Sequence, residues 1–263
     1  MSLNDHFDEI YCINLAKDTQ RLTRFYKMAD GLDFSFKRIR AIDGSTDISV
    51  KMIYSLLPKN AHARFANCRG QIATGMSHVK AIKDAKARGY EKILILEDDV
   101  IPDASFSEIM KDFYFPDNWS FIYLGGNVHS RSHHLTKFDD FFNNTSDVAG
   151  VYACAIHSSS FDQCISMIES NRGEASDRCL SKIHKKNKNN TFILNKNAFW
   201  PNVWSSNLRK PSSIIDGFKY LRKISGGKLV ALNSDYMPPD LVEKIKTTMT
   251  QEMQLQMLQK NNK

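Results

Sequence analysis

The run Lys92–Leu96, reading KILIL and followed at once by Glu97, Asp98 and Asp99, constrains the fold more than any other stretch of the chain. A short continuous apolar run is how a strand buried on both faces reads, and such strands belong to parallel sheets covered by helices. The flanking sequence agrees. Gly70–Arg88 sets Ile72, Met76, Val79, Ile82 and Ala85 on one side of a predicted helix that stops at Gly89. Further upstream, Glu9–Leu15 reads as a strand and Phe34–Arg40 as a second one. Between them Lys17–Gly31 reads as a helix with Leu22, Phe25, Met28 and Ala29 on one face. Asp43-Gly44 marks a turn, and Ser49–Leu57 a short helix stopped by Pro58. Helix Ala104–Phe113 and strand Ser120–Leu124 continue the alternation. This order predicts an α/β domain with a mostly parallel sheet flanked by helices.

The second half is less regular. Ser130–Asp147 reads as a polar and aromatic surface excursion, Val148–Ile156 as a strand, and Ser158–Ser170 and Ser176–Lys186 as helices. Phe192–Leu194 reads as a short strand and Phe199–Ser213 as an irregular loop. After Gly226-Gly227, Leu241, Ile245, Met249, Met253 and Met257 recur every four residues, the stripe of an amphipathic helix. Docking on its own domain, a dimer contact and a membrane surface all suit such a stripe. The expected organisation is therefore one domain over residues 1–225 and a C-terminal helical extension over 226–263.

Composition narrows the class. With 42% hydrophobic and 25% charged residues in 263, the chain can bury a sizeable core, which excludes disorder, collagen, coiled coil and a disulfide scaffold. No apolar run approaches the ~20 residues a spanning helix needs. Met1–Ile10 is polar and acidic, unlike a secretory signal, and the five cysteines form no CxxC. Reduced, buried thiols in a cytoplasmic protein are the expectation. The excess of 36 basic over 29 acidic residues, a formal +7, favours anionic partners such as nucleotides, phosphorylated glycans or acidic lipid headgroups. Nucleic acid is not expected, because the basic stretch Lys182–Lys188 lacks interleaved aromatics.

Among residues able to carry chemistry, Glu97-Asp98-Asp99 stands out. Three adjacent carboxylates at the C-terminal end of a buried strand repel one another, and that edge of an α/β sheet is where ligands bind. A hard divalent cation, Mg²⁺ or Mn²⁺, is the natural neutraliser, and it leaves coordination positions for phosphate oxygens. A solvated turn capping the next helix is the competing account. Arg21 and Arg24 follow the first strand, where phosphate contact competes with ordinary surface exposure. His78, on the long helix, reads equally as a packed side chain. Asp177 is either a helix cap or a general base. The chain has no P-loop, no GxGxxG, no Gly-x-Ser-x-Gly elbow and no zinc spacing. His129, His133 and His134 read as members of a polar loop.

Taken in order, IYCINLAKDTQRL (Ile10–Leu22), RAIDG (Arg40–Gly44), GQIATGMSHVKAI (Gly70–Ile82), KILILEDDV (Lys92–Val100), FIYLGG (Phe121–Gly126), GVYACAIHSSSF (Gly150–Phe161) and SDRCL (Ser176–Leu180) resemble glycosyltransferase family 25. That family includes lipopolysaccharide-biosynthesis glycosyltransferases and procollagen galactosyltransferases. The resemblance implies a GT-A-like, Rossmann-type sheet binding a sugar nucleotide. It implies donor contacts from Asn14, Arg21, Asp43, His78, Glu97 and Asp98, a metal held by Asp99 and Asp98, and Asp177 as the acceptor-side base. Gln71 stands where an acidic residue is common, Ala175-Ser176 replace Pro-Val, and Ser212-Ser213 lack a following acid.

The implied reaction is transfer of galactose or glucose from a UDP-sugar to a glycan hydroxyl, Mn²⁺- or Mg²⁺-assisted and inverting. Its acceptor is a lipid-linked or lipopolysaccharide oligosaccharide; the basic surplus and the C-terminal stripe fit, without requiring, peripheral attachment at the inner membrane face. A nucleotidyltransferase would release pyrophosphate instead of UDP. A non-catalytic sugar-nucleotide or glycan-binding protein would bind UDP without metal-dependent turnover.

Overall fold

In a computed structural model, residues 2–57, 68–127, 135–204, 211–225 and 230–248 are described. The first half builds β1 (Glu9–Asn14), α1 (Thr19–Gly31), β2 (Lys37–Arg40), α2 (Ile48–Leu56), α3 (Cys68–Arg88), β3 (Lys92–Glu97), β4 (Val100–Pro102), α4 (Phe106–Lys111) and β5 (Phe121–Asn127). The second half adds β6 (Leu135–Lys137), β7 (Phe142–Thr145), β8 (Ala149–His157), α5 (Phe161–Ser170), α6 (Ser176–His184), β9 (Thr191–Leu194), β10 (Phe199–Pro201), α7 (Ile214–Ile224) and a last helix, α8, over residues 239–248.

Eight of the described strands form one sheet in the order β2-β1-β3-β8-β5-β9-β7-β6. β1 lies parallel to both β2 and β3, and β5 lies parallel to β9. β8 enters antiparallel between β3 and β5, and β7 runs antiparallel to β9 and β6, so six of the eight strands point one way. The expected mostly parallel sheet flanked by helices is the sheet that forms. Ile93, Leu94, Ile95 and Leu96 of β3 have no exposed surface. Their alternation divides them between two cores. Leu94 and Leu96 pack with Phe25 and Met28 of α1 and with Phe106, Phe142 and Phe199. Ile93 and Ile95 pack with Val79, Ile82 and Ala85 of α3 and with Cys154, Ile168 and Leu180. Each such burial contributes about 1.5–3 kcal/mol, which is why a run lacking any polar residue tolerates only this central position.

The helix α3 is pinned by Asp84, which accepts from Tyr11 Oη at 2.7 Å and pairs with Lys37 at 2.7 Å and Arg88 at 3.1 Å. The anchor joins it to β1 and β2 and sets its opposite half against the carboxyl ends of those strands.

Two readings of the second half are corrected. The stretch 130–147 is not wholly a surface excursion. Phe142, fully buried, stacks edge-on against Phe113, Tyr114 and Phe192, which draws β7 and then β6 into the sheet. His129, His133 and His134 lie outside the described residues. The stretch after Phe199 is not all irregular, because β10 pairs antiparallel with β4 directly after the acidic trio. The described part of the extension is docked: Met237 and Leu241 are buried with Ile101, and Val242 and Ile245 pack on them. Met249, Met253 and Met257 lie outside the described residues. Cys12, Cys154, Cys164 and Cys179 are buried free thiols. Among the described residues no helix is long and apolar enough to cross a membrane.

His184, wedged edge-on between the rings of Phe121 and Tyr123, is fully buried, and burial holds its imidazole down to about 3. An unfolded histidine takes up a proton near pH 6.5, so below that pH the unfolded chain binds more protons and the native state loses stability. We expect this residue to cost the wild type about 2 kcal/mol between pH 6.5 and pH 5. Urea titrations at the two pH values should show a smaller loss in His184→Gln, which cannot titrate; equal losses would refute the assignment.

Candidate active site

The chain leaves β3 without leaving the sheet. Asp98 N–H still donates to Ile13 O at 3.2 Å, so the acidic trio stays at the carboxyl ends of β1 and β3. Arg21, on the first turn of α1, closes over it. Its Nη2 reaches Asp98 Oδ1 at 2.7 Å and Asp99 Oδ2 at 2.6 Å, and its Nη1 lies 3.4 Å from Asp18. Its side chain is only 13% exposed, so it is no surface arginine. The second oxygen of Asp98 accepts from Nδ2 of Asn14, the last residue of β1. The sequence assigned the neutralising role to a metal; the structure gives a share of it to a guanidinium.

Arg21 relieves the cluster only in part. Burial, then repulsion from Asp99 and Asp98, pushes Glu97 up to about 8. Burial pushes Asp98 up to about 7 against the pull of Arg21, and Asp99 is raised by the same cause. Burial works against the charge of Arg21, but the carboxylates of Asp99, Asp98 and Asp18 outweigh it and hold the guanidinium protonated. With one arginine facing three carboxyls, the trio holds protons near neutral pH, and a further cation would take their place.

Beside the trio opens a cavity of about 410 Å³. Its apolar wall is Ile13, Ala41, Ile42 and Ala73, and its floor is Glu97, Asp98 and Asp99. Lys17, Arg21 and Arg69 supply cations, and the first turn of α3 at Arg69 and Gly70 adds the positive end of a helix dipole. Gly44 allows the approach of the two walls, since a Cβ there would lie 2.6 Å from Arg69 O. Asp43 opens the same turn. Its carboxylate takes Lys17 Nζ at 2.7 Å, Ser45 Oγ at 2.6 Å and Ser45 N–H at 2.9 Å, and these bonds pull it down to about 2. An apolar wall, a cationic rim and an acidic floor suit a ligand with a flat base and a diphosphate.

The structure thus brings Arg21, Asp43, Glu97, Asp98 and Asp99 to one cavity, with Asn14 behind Asp98. His78 is placed differently. It is 1% exposed and does not line the cavity; its Nδ1 meets Thr74 O at 2.9 Å and its Nε2 Val151 O at 3.3 Å. It ties α3 to β8, while its neighbour Ser77 lines the cavity and accepts from Ile42 N–H at 2.9 Å. Asp177, at the start of α6, makes no side-chain cap. Its Oδ2 accepts from Gly150 N–H at 3.2 Å, and its charge acts on both Glu97 and His78. Arg24 lines one small cleft behind Asp98 and Asp99 and a separate cavity with Asn202, Trp204 and Leu241. Lys17, Ser45, Arg69 and Ser77 escaped the reading of the sequence. Position was their only signal: directly after a strand, inside a turn, or on the first turns of a helix.

An oxygen-only donor set suits a hard cation. Asp98 has both oxygens engaged, whereas Asp99 Oδ1 is buried without a hydrogen-bond partner. Among the described residues no three His, Cys, Asp or Glu side chains converge on one point, so an ion here would complete its shell from a phosphate ligand and water.

A family model described as "Glycosyltransferase family 25 (LPS biosynthesis protein)" matches residues 7–197. Over 129 residues the chain is 30% identical to procollagen galactosyltransferase 2 of Homo sapiens and 28% identical to "Inactive glycosyltransferase 25 family member 3" of Mus musculus. Each match covers 45% of this chain and about a fifth of the relative, 21% and 22%. A solved glycosyltransferase involved in glycosylation of the major capsid of PBCV-1 is similar over 84% of this chain and 89% of its own, at 8% identity and a TM-score of 0.44.

Replacing Arg21 strips the pairing from buried carboxylates. Arg21→Gln should cost about 3 kcal/mol at pH 8. The loss should shrink towards pH 5, because the native carboxylates then take up protons before the unfolded ones do. Urea unfolding at the two pH values measures this; a loss independent of pH would mean that the ion pairs are not its source.

Proposed function

The chain belongs to glycosyltransferase family 25, and on that premise we propose that it transfers a hexose, galactose or glucose, from a UDP-sugar to a hydroxyl of a glycan acceptor. The observation that carries this reading is the junction of the cation-rimmed cavity with the Arg21-bridged acidic trio. The uracil and ribose take the wall and the Asp43 turn, and the diphosphate lies along Lys17, Arg21, Arg69 and the helix N-terminus. Asp99, through its unpartnered Oδ1, and Glu97 would hold Mn²⁺ or Mg²⁺, which when bound supplies the charge that neutralises the departing diphosphate.

In the proposed step the acceptor oxygen attacks the anomeric carbon while the bond from that carbon to the β-phosphate oxygen breaks. The acceptor proton passes to Asp177, and UDP leaves with the electron pair, inverting the centre. Asp177 suits the role because it is held by a backbone N–H, and its charge is felt at Glu97. The net charge of +7 supports an anionic acceptor, a lipid-linked or lipopolysaccharide oligosaccharide at the inner membrane face. The buried free thiols support a cytoplasmic site of action.

One observation favours a second reading, a sugar-nucleotide-binding protein without turnover: both oxygens of Asp98 and one of Asp99 are already held by Arg21 and Asn14. Relatives named inactive belong to the same family. UDP-release assays with UDP-galactose, UDP-glucose and UDP-N-acetylglucosamine, with manganese and with chelator, decide between them. We expect manganese-dependent release that falls at least about 100-fold in Asp99→Asn. Asp177→Asn should lose kcat by a similar factor with UDP affinity unchanged. UDP binding without release from any donor would establish the second reading.

A further inference from the structure

Beside the trio, on β5 and β8, two buried polar groups have no protein partner. The Tyr152 hydroxyl and Asn127 Oδ1 make no hydrogen bond, and the residues are 3% and 5% exposed. Burying a polar group unsatisfied is costly, so a partner from outside the chain is expected.

The two side chains flank one backbone position. A Cβ on Gly150 would lie 2.9 Å from Asn127 Nδ2 and 2.9 Å from Tyr152 Cε1. Gly150 adopts φ +79, a conformation that glycine takes without strain, and its N–H is the one that holds Asp177. In the ladder between β3 and β8, Ala153 stands opposite Leu96, so Tyr152 is the next residue towards Glu97. Burial and the charges of Tyr220, Glu97 and Asp99 raise the phenol well above its usual range, so it stays a donor. The cluster therefore offers a hydroxyl that can donate and an amide oxygen that accepts, on side chains beside the Gly150 whose N–H holds Asp177. A hydroxyl group, which both donates and accepts, satisfies both; a bare cation leaves the phenol proton unused, and an apolar group satisfies neither.

We infer that Tyr152 and Asn127 bind hydroxyls of the transferred hexose, the phenol donating to the sugar and the amide oxygen accepting from it. This rests on the donor reading of the neighbouring cavity. Galactose and glucose differ only in the orientation of one hydroxyl, and a directional donor-acceptor pair is what tells such epimers apart.

Calorimetric titration of UDP, UDP-galactose and UDP-glucose, each with manganese, tests the inference in wild type, Tyr152→Phe and Asn127→Ala. UDP should bind all three proteins within about twofold, because neither residue lines the nucleotide cavity. The preferred UDP-hexose should bind each variant about tenfold more weakly, with a smaller galactose-to-glucose ratio. The Tm of Tyr152→Phe should not fall, since the lost hydroxyl has no partner in the protein. Unchanged hexose affinity and ratio, with UDP binding intact, would overturn the inference and leave the hydroxyl to an ordinary buried water. A lowered Tm in Tyr152→Phe would overturn it in favour of a structural role. Failure of UDP to bind the wild type would sink the donor reading itself, and the inference with it.

Discussion

The bridge from Arg21 to Asp98 and Asp99, at 2.7 and 2.6 Å, is the interaction on which the active edge depends. Adjacent buried carboxylates repel one another and lose hydration, and a chain cannot hold them at a strand end without a counter-charge. Arg21 supplies it because of its place on α1. Phe25 and Met28 follow at i+4 and i+7, so they share the helix face that packs on the sheet. The packing that buries those two side chains also aims the guanidinium. Hydrophobic phasing and electrostatic neutralisation are one constraint here, and a shift of α1 by one residue would break both.

The first half of the fold was legible because each element obeys a local rule. The KILIL run could only be central, and the period of Gly70–Arg88 located a helix that begins two residues earlier, at Cys68. The second half was legible only in part. Nothing local in Phe142–Thr145 marks a strand; Phe142 becomes one by packing against aromatics that are distant in sequence. The insertion of β8 between β3 and β5 is likewise a non-local fact, since period 2 reads the same in either direction. At the site, the trio announced itself as an uncompensated cluster of like charge. Arg69 and Ser45 could not, because one exposed basic residue or one turn serine carries no signal until the fold faces it towards a cavity. His78 shows the opposite case: a motif residue whose ring serves the join between α3 and β8 while Ser77 faces the cavity.

Two kinds of polar side chain meet at this edge. Those around the cavity are mutually paired, as with Asp43, Lys17 and Ser45, and so hold their places before any ligand arrives. Those around Gly150 are buried but incomplete. On the proposed reading, paired groups would fix the nucleotide end, and unpaired groups would leave the sugar end to be completed by what binds. That division would suit an enzyme that keeps hold of its leaving group while the transferred ring changes partners.

The place of β8 in the sheet has a consequence for how the chain is made. β1, β2 and β3 are all translated by residue 97, yet the free side of β3 finds its partner only in residues 149–157. During synthesis, the apolar strand β3 is therefore an open edge for some fifty residues of further elongation. Such an edge is a template for pairing with other nascent chains, and closing it needs a contact between residues far apart in sequence, which is slow. The late strand that completes the sheet thus sets the interval during which this edge stays open.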